Sequence, residues 1–175
     1  MTPKKIWSEL LQRSPYPYTI PLLPPRSSPL DGTYIKVEVK DTPLVHCRRC
    51  PDYAPEAGTW KLNLYQGAFR IFHEATGWKS LGSFIVTRDM DTSMDDQPAS
   101  ATGQLLLAND PACQEVIGVY RWWLEKGRLT LREIDDACAI RLRAINLTKL
   151  PWSSCQPPNP EAAITDHWPK PSGCE

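Results

Sequence analysis

The chain lacks an excess of charge of either sign: 20 lysines and arginines balance 20 aspartates and glutamates over 175 residues. With no basic stripe, nucleic acid and anionic membrane surfaces are unfavoured as partners. No apolar run approaches the roughly 20 residues that a membrane-spanning helix requires. Residues 1–20 offer Lys4 and Lys5 but no apolar stretch after them, so they do not read as a secretory signal. Also missing are a phosphate-binding glycine loop, a nucleophile–base spacing and a complete metal-ligand set. No catalytic residue, cofactor or metal is therefore expected.

Proline is scarce in the middle of the chain, because the 18 prolines crowd its two ends. That distribution predicts ordered strands flanked by extended tails. Six cysteines in so short a chain favour an oxidising setting, and an extracytoplasmic or secreted location is expected.

What the chain does have is a repeated hairpin. Gly118-Val-Tyr-Arg-Trp-Trp-Leu-Glu-Lys-Gly-Arg-Leu-Thr-Leu places two aromatic and β-branched runs around a polar turn. Gly58-Thr-Trp-Lys-Leu-Asn-Leu-Tyr-Gln-Gly-Ala-Phe-Arg-Ile aligns with it without a gap. Looser copies open at Gly32-Thr33-Tyr34 and Gly82-Ser83-Phe84, the latter answered by Gly103-Gln104-Leu105. A single hairpin cannot bury its apolar face, so repeated hairpins must close on one another. The expected fold is all-β: a small up-and-down antiparallel barrel of about seven to eight strands, with a short N-terminal helix and a C-terminal helix. The expected organisation is a helix and proline-rich strap over residues 1–30, the barrel with its closing helix over 31–152, and a proline-rich tail over 153–175.

Sorting charges from apolar groups pairs Trp122 with Leu129, Tyr120 with Leu131, Trp60 with Ile71 and Leu62 with Phe69. Arg121, Arg128, Arg132 and Trp123 then face outward. The same register sets His73 opposite Gly58 and Glu133 opposite Gly118, two ionisable groups at one end of the barrel. They could orient a ligand or act as an acid–base pair. In the first strand, hydrophobicity turns Ile35, Val37 and Val39 inward and leaves Lys36 and Glu38 in solvent, whereas the phase of the repeat predicts the reverse. The hydrophobic reading is preferred.

Other stretches carry weaker signals. Residues 4–13 have helical spacing of Ile6, Trp7, Leu10 and Leu11, and Pro15–Pro29 reads as an extended strap. Cys47-x-x-Cys50 suits half a zinc site, a redox pair or a structural disulfide, local or to the tail cysteines; the disulfide is favoured. Asp89, Asp91, Ser93 and Asp95 follow calcium-loop spacing, but Met94 and Ser100 stand where such a loop needs Gly and Glu. An acidic surface loop is the simpler reading. Asp135 to Leu147 reads as a helix capped by Asp135 and Asp136. Extending the last hairpin sets Cys113 opposite Cys138, a geometry that permits a disulfide.

The runs around Gly118–Leu124, Arg128–Leu131, Asp135–Arg141 and Pro151-Trp152, with Asn109–Cys113, resemble a lipocalin-like barrel module of bacterial extracytoplasmic proteins. Gly58-x-Trp60 is similar to the first lipocalin signature, and the likeness spans about Gly32 to Trp152. It implies a calycin-type barrel that binds a small, mainly apolar molecule or serves as an accessory module, and it carries over no catalytic set. The expected lining is Trp60, Leu62, Phe69, Ile71, His73, Phe84, Tyr120, Trp122, Leu129, Leu131 and Glu133. Alternatives are a barrel enzyme of isomerase or cyclase type, and an interaction module with a filled core.

Overall fold

A computed structural model describes residues 25–39, 57–89, 101–139 and 142–174. Eight strands form a closed antiparallel barrel in simple up-and-down order. They are β1 (Gly32–Glu38), β2 (Gly58–Tyr65), β3 (Ala68–His73), β4 (Lys79–Arg88), β5 (Ala101–Ala108), β6 (Gly118–Glu125), β7 (Arg128–Asp135) and β8 (Trp152–Ser154). Two short helices complete the described chain, α1 (Leu142–Thr148) between β7 and β8, and α2 (Pro160–Thr165) in the tail. The expected N-terminal helix, the Cys47–Cys50 pair and the acidic loop beyond Asp89 lie outside the described residues.

Two-residue turns set the register. Gln66-Gly67 and Lys126-Gly127 all have positive φ, at 46°, 85°, 48° and 75°. That is the requirement of a hairpin turn whose twist matches its strands, and glycine meets it at the second position. The turn centre thus falls one residue later than expected. Trp122 pairs with Leu131, Tyr120 with Glu133, Trp60 with His73 and Leu62 with Ile71. Each partner moves by two residues, and since side chains alternate with period two, every one keeps its expected face. A bulge between Val119 and Tyr120 leaves Ile134 unpaired and 52% exposed.

In β1 the phase of the repeat prevails over hydrophobicity, which corrects the preferred reading. Lys36 and Glu38 are buried, while Val37 and Val39 are exposed on the outer face. Ile35 points outward with them yet is buried, because the tail lies over it: a Cβ on Gly173 would collide with Ile35 Cδ1.

The C-terminal region departs from expectation in where its helix starts and in its closing strand, and a second disulfide secures its tail. Helix α1 starts at Leu142 and not at Asp135, because Asp136 spends its carboxylate on other partners described below. The barrel is closed by β8, three residues that pair with Tyr34 and Ile35 on one side and with Arg128 and Leu129 on the other. The tail is stapled: Cys155 bonds to Cys174, enclosing α2, whose N-cap Asn159 accepts from Ala162 N and whose first residue is Pro160.

The staple follows the shortest strand of the barrel and holds the tail over β1. Replacing Cys155 and Cys174 together by Ser should lower stability by about 2–4 kcal/mol. Hydrogen exchange should then quicken first at Tyr34, Ile35 and β8, read by mass spectrometry of the native protein.

Candidate functional site

Antiparallel order gives the barrel two unlike ends. At the upper end β1, β3, β5 and β7 finish and α1 sits. At the lower end lie the β2–β3 and β6–β7 hairpins, the end of β4 and the start of β5.

The upper end is polar and buried. Arg143 of α1, fully buried, grips Asp136 with two bonds, Nε to Oδ2 at 2.7 Å and Nη2 to Oδ1 at 2.9 Å. Its Nη1 lies 3.4 Å from Asp110 Oδ2. The Tyr120 hydroxyl donates to Asp136, and the Ser80 hydroxyl to Asp110. Cys138 N donates to Asp136 Oδ1 and Ala112 N to Asp110 Oδ1, both at 2.9 Å. Burial lowers the tendency of Arg143 to hold its proton, but the bonds and charge of Asp136 outweigh that, and the guanidinium stays more basic than usual. Burial, with the Asp136 charge second, pushes the Tyr120 phenol far up, so it remains a neutral donor.

Cys113 and Cys138 are joined beside this network, as loop residues beyond the strand ends and not as cross-strand partners. They and Asp110 place possible ligand atoms within 4.8 Å of one another, but both sulfurs are in the disulfide, which leaves no thiolate for a metal.

Lys36 forms a second buried knot. Its Nζ donates to Glu38 Oε1 at 2.7 Å and to the Asn146 carbonyl of α1, and lies 4.8 Å from the Trp152 ring centre and 5.8 Å from that of Trp60. Burial lowers its pKa, and Glu38 opposes that shift. The Trp152 indole donates to the Leu147 carbonyl, so a lysine and a tryptophan cap the open end of α1.

His73 is the third polar group, fully buried and 4.5 Å from the Trp60 ring centre. Its Nε2 faces the Ala57 carbonyl at 2.9 Å, which can only accept, so Nε2 carries the proton. Nδ1 accepts from Thr76 N at 3.2 Å and lies 2.7 Å from Thr76 Oγ1. Both ring nitrogens are engaged. Glu133 is half-buried on β7, four strands away in an eight-stranded barrel. The fold does not bring these two groups together.

The lower end is apolar. Leu30, fully buried, fills it beneath β1 and accepts from the Tyr34 hydroxyl at 3.0 Å. Across the barrel, Val86, Ala101 and Leu124 are only partly buried, packed on the core at adjoining strand ends of β4, β5 and β6. Trp122 lies above them, further inside, its indole shared between the Thr87 and Gln104 carbonyls at 3.2 Å each.

Between the two ends, Trp60, Leu62, Phe69, Ile71, Phe84, Tyr120, Trp122, Leu129 and Leu131 are brought into one cluster, none more than 6% exposed. On the outer face Trp123 is half-buried between the guanidiniums of Arg121 and Arg132, 5.9 and 5.6 Å from its ring centre. Sequence reasoning missed Ser80, Asp110, Asp136, Arg143 and Asn146 as interior groups. The only available signal was steric: Gly118 leaves the space in which Asp136 and Arg143 meet, since a Cβ there would stand 2.6 Å from Asp136 Oδ2.

Two measurements probe these groups. Arg143→Met leaves Asp136 and Asp110 buried without their cation and should cost about 3–5 kcal/mol in urea unfolding, much of it recovered in Arg143→Met/Asp136→Leu. The Tyr34 phenol is pushed from 10.0 to about 12, by burial and then by the Asp31 charge. The folded state thus keeps a proton that the unfolded chain sheds. Tyr34 contributes stability in full below pH 10.0, and that contribution drains away as pH rises towards about 12. Tyr34→Phe should show a shallower alkaline fall in stability than the parent.

Two disulfides among the described residues suit an oxidising, extracytoplasmic setting. No helix among the described residues is long and apolar enough to cross a membrane. No family model, curated protein or solved structure matches this chain.

Proposed function

We propose that the barrel binds a small, mainly apolar molecule through its lower mouth, the role that its likeness to lipocalin-like modules implies. The observation that carries this reading is the asymmetry of the two ends. The upper end is occupied by ion pairs and α1, with Trp78 partly buried there beside Trp60, whereas at the lower end Val86, Ala101 and Leu124 are apolar and only partly buried. Eight strands is the size at which a barrel interior accommodates either its own side chains or one small ligand. Phe84, Trp122 and Leu129 form the floor, and a ligand reaching past them has to displace side chains that now touch one another.

The second reading, an interaction module with a filled core, draws on those same side chains: Trp60, Ile71, Tyr120, Trp122 and Leu129 are at most 1% exposed. Native mass spectrometry of the unreduced protein separates the two. A native mass above the denatured mass, lost in a Leu124→Asp variant that keeps its melting temperature, is the expected result for a ligand held at the mouth. Equal masses, together with no uptake of added apolar compounds, would leave the filled-core module.

A further inference from the structure

The segments that leave β5 and β7 meet at the upper end and bring three ligand-type side chains together. Asp110 and Cys113 stand at the two ends of one tight turn, closed by Cys113 N donating to the Asp110 carbonyl at 3.0 Å. Cys138 arrives from beyond β7 and bonds to Cys113. A carboxylate oxygen of Asp110 and the two sulfurs lie within 4.8 Å of one another. Around a tetrahedral zinc ion, with Zn–S about 2.3 Å and Zn–O about 2.0 Å, such atoms stand roughly 3.5–3.8 Å apart. Parting the sulfurs that far takes rotation about two Cα–Cβ bonds, while their Cα atoms, 5.6 Å apart, keep their places.

The carboxylate is already oriented. An ionised carboxylate offers about four lone-pair sites. In Asp110, Oδ1 accepts from Ala112 N at 2.9 Å, and Oδ2 accepts from the Ser80 hydroxyl and faces Arg143 Nη1 at 3.4 Å. One site remains, and the partners of the others hold the group as outer-shell residues hold a metal ligand. Asp110 and Cys138 are buried, whereas Cys113 is half-buried and lets a small reductant reach the disulfide from solvent. Two thiolates and a carboxylate make a trianionic, sulfur-rich set that suits a divalent zinc ion. We propose that Asp110, Cys113 and Cys138 form a redox-gated zinc site. A dithiol breaks the Cys113–Cys138 bond, giving up two electrons and two protons and closing to its own cyclic disulfide. Zn2+ then displaces the two thiol protons to solvent and takes both thiolates and an Asp110 oxygen, with water in the fourth position. One joint at the upper end is thus held by a covalent bond in an oxidising setting and by a metal in a reducing one.

Co2+, a coloured stand-in for Zn2+, reads the site in the full chain carrying Cys47→Ser and Cys50→Ser, which removes the other closely spaced pair. After reduction with dithiothreitol and its anaerobic removal, one equivalent of Co2+ should give the visible absorption of a tetrahedral ion together with thiolate-to-metal charge transfer. The oxidised protein should give neither. Adding Cys113→Ser should abolish both signals, and adding Cys155→Ser with Cys174→Ser should leave them. Asp110→Asn should weaken binding by more than the about ten-fold loss typical of a mere supporting partner. Zn2+ should displace Co2+ and, at roughly a hundred times its dissociation constant, raise the melting temperature of the reduced protein by about 5–10 °C. If reduction alone unfolds the chain, one equivalent of Zn2+ should restore its native circular dichroism. Four results each overturn the site: signals that survive Cys113→Ser, binding by the oxidised form, full affinity in Asp110→Asn, or a reduced protein that neither binds Co2+ nor gains stability from Zn2+.

Discussion

The forked bond between Arg143 and Asp136 is the interaction on which the upper half of this barrel depends. Asp136 follows the last long strand and Arg143 belongs to the helix after it, yet the pair gathers far more of the chain. Through Tyr120 it holds β6, through Asp110 and Ser80 it holds the β5–β6 loop and the start of β4, and through Cys138 N it holds the disulfide that ties that loop down. Two buried carboxylates and a guanidinium are costly to remove from water, and replacing all of them by packed hydrocarbon often costs nothing. What the network supplies is geometry: each member has its partners only when all five segments are in place.

That closed polar end gives the opposite end its meaning. Lys36, drawn between two indoles and bonded to α1, extends the plug to the seam where β1 meets β8. With polar groups concentrated above, the lower half of the interior is almost wholly apolar, from Leu64 and Phe69 to Trp122 and Leu129. Its incompletely covered part lies on the β4–β5–β6 side, since Leu30 fills the side beneath β1.

Much of the fold was legible in the sequence because hairpins declare themselves locally. The aromatic alternation of Tyr120, Trp122, Leu129 and Leu131 assigned faces, and no shift of two residues could undo that assignment. Where the sequence misled, long-range contacts had overruled local signals. Lys36 and Glu38 read as solvent residues until a helix more than a hundred positions away supplied a carbonyl. Ile35 read as core because nothing local announces that a tail stapled at Cys155 will cover it from outside. Asp135-Asp136 read as a helix cap because the competing claim of Arg143 is visible only in three dimensions. The three residues of β8 carry too little pattern to be seen at all, although Asn159-Pro160-Glu161 does carry the mark of a helix start.

The repeated glycines can be understood in another way. At Gly118 the backbone asks for nothing special; what forbids a side chain is the presence of Asp136 and Arg143. At Gly58, where φ is +119°, the space is taken by His73 Nε2, which a Cβ would approach to 3.1 Å. The two matching openings of the hairpin repeat are therefore keyholes, each cut to the outline of a different polar key at the same end of the barrel. Duplicate lettering in the chain marks a shared shape requirement and not a shared chemistry, so the two halves were free to acquire an imidazole in one lock and a carboxylate–guanidinium pair in the other.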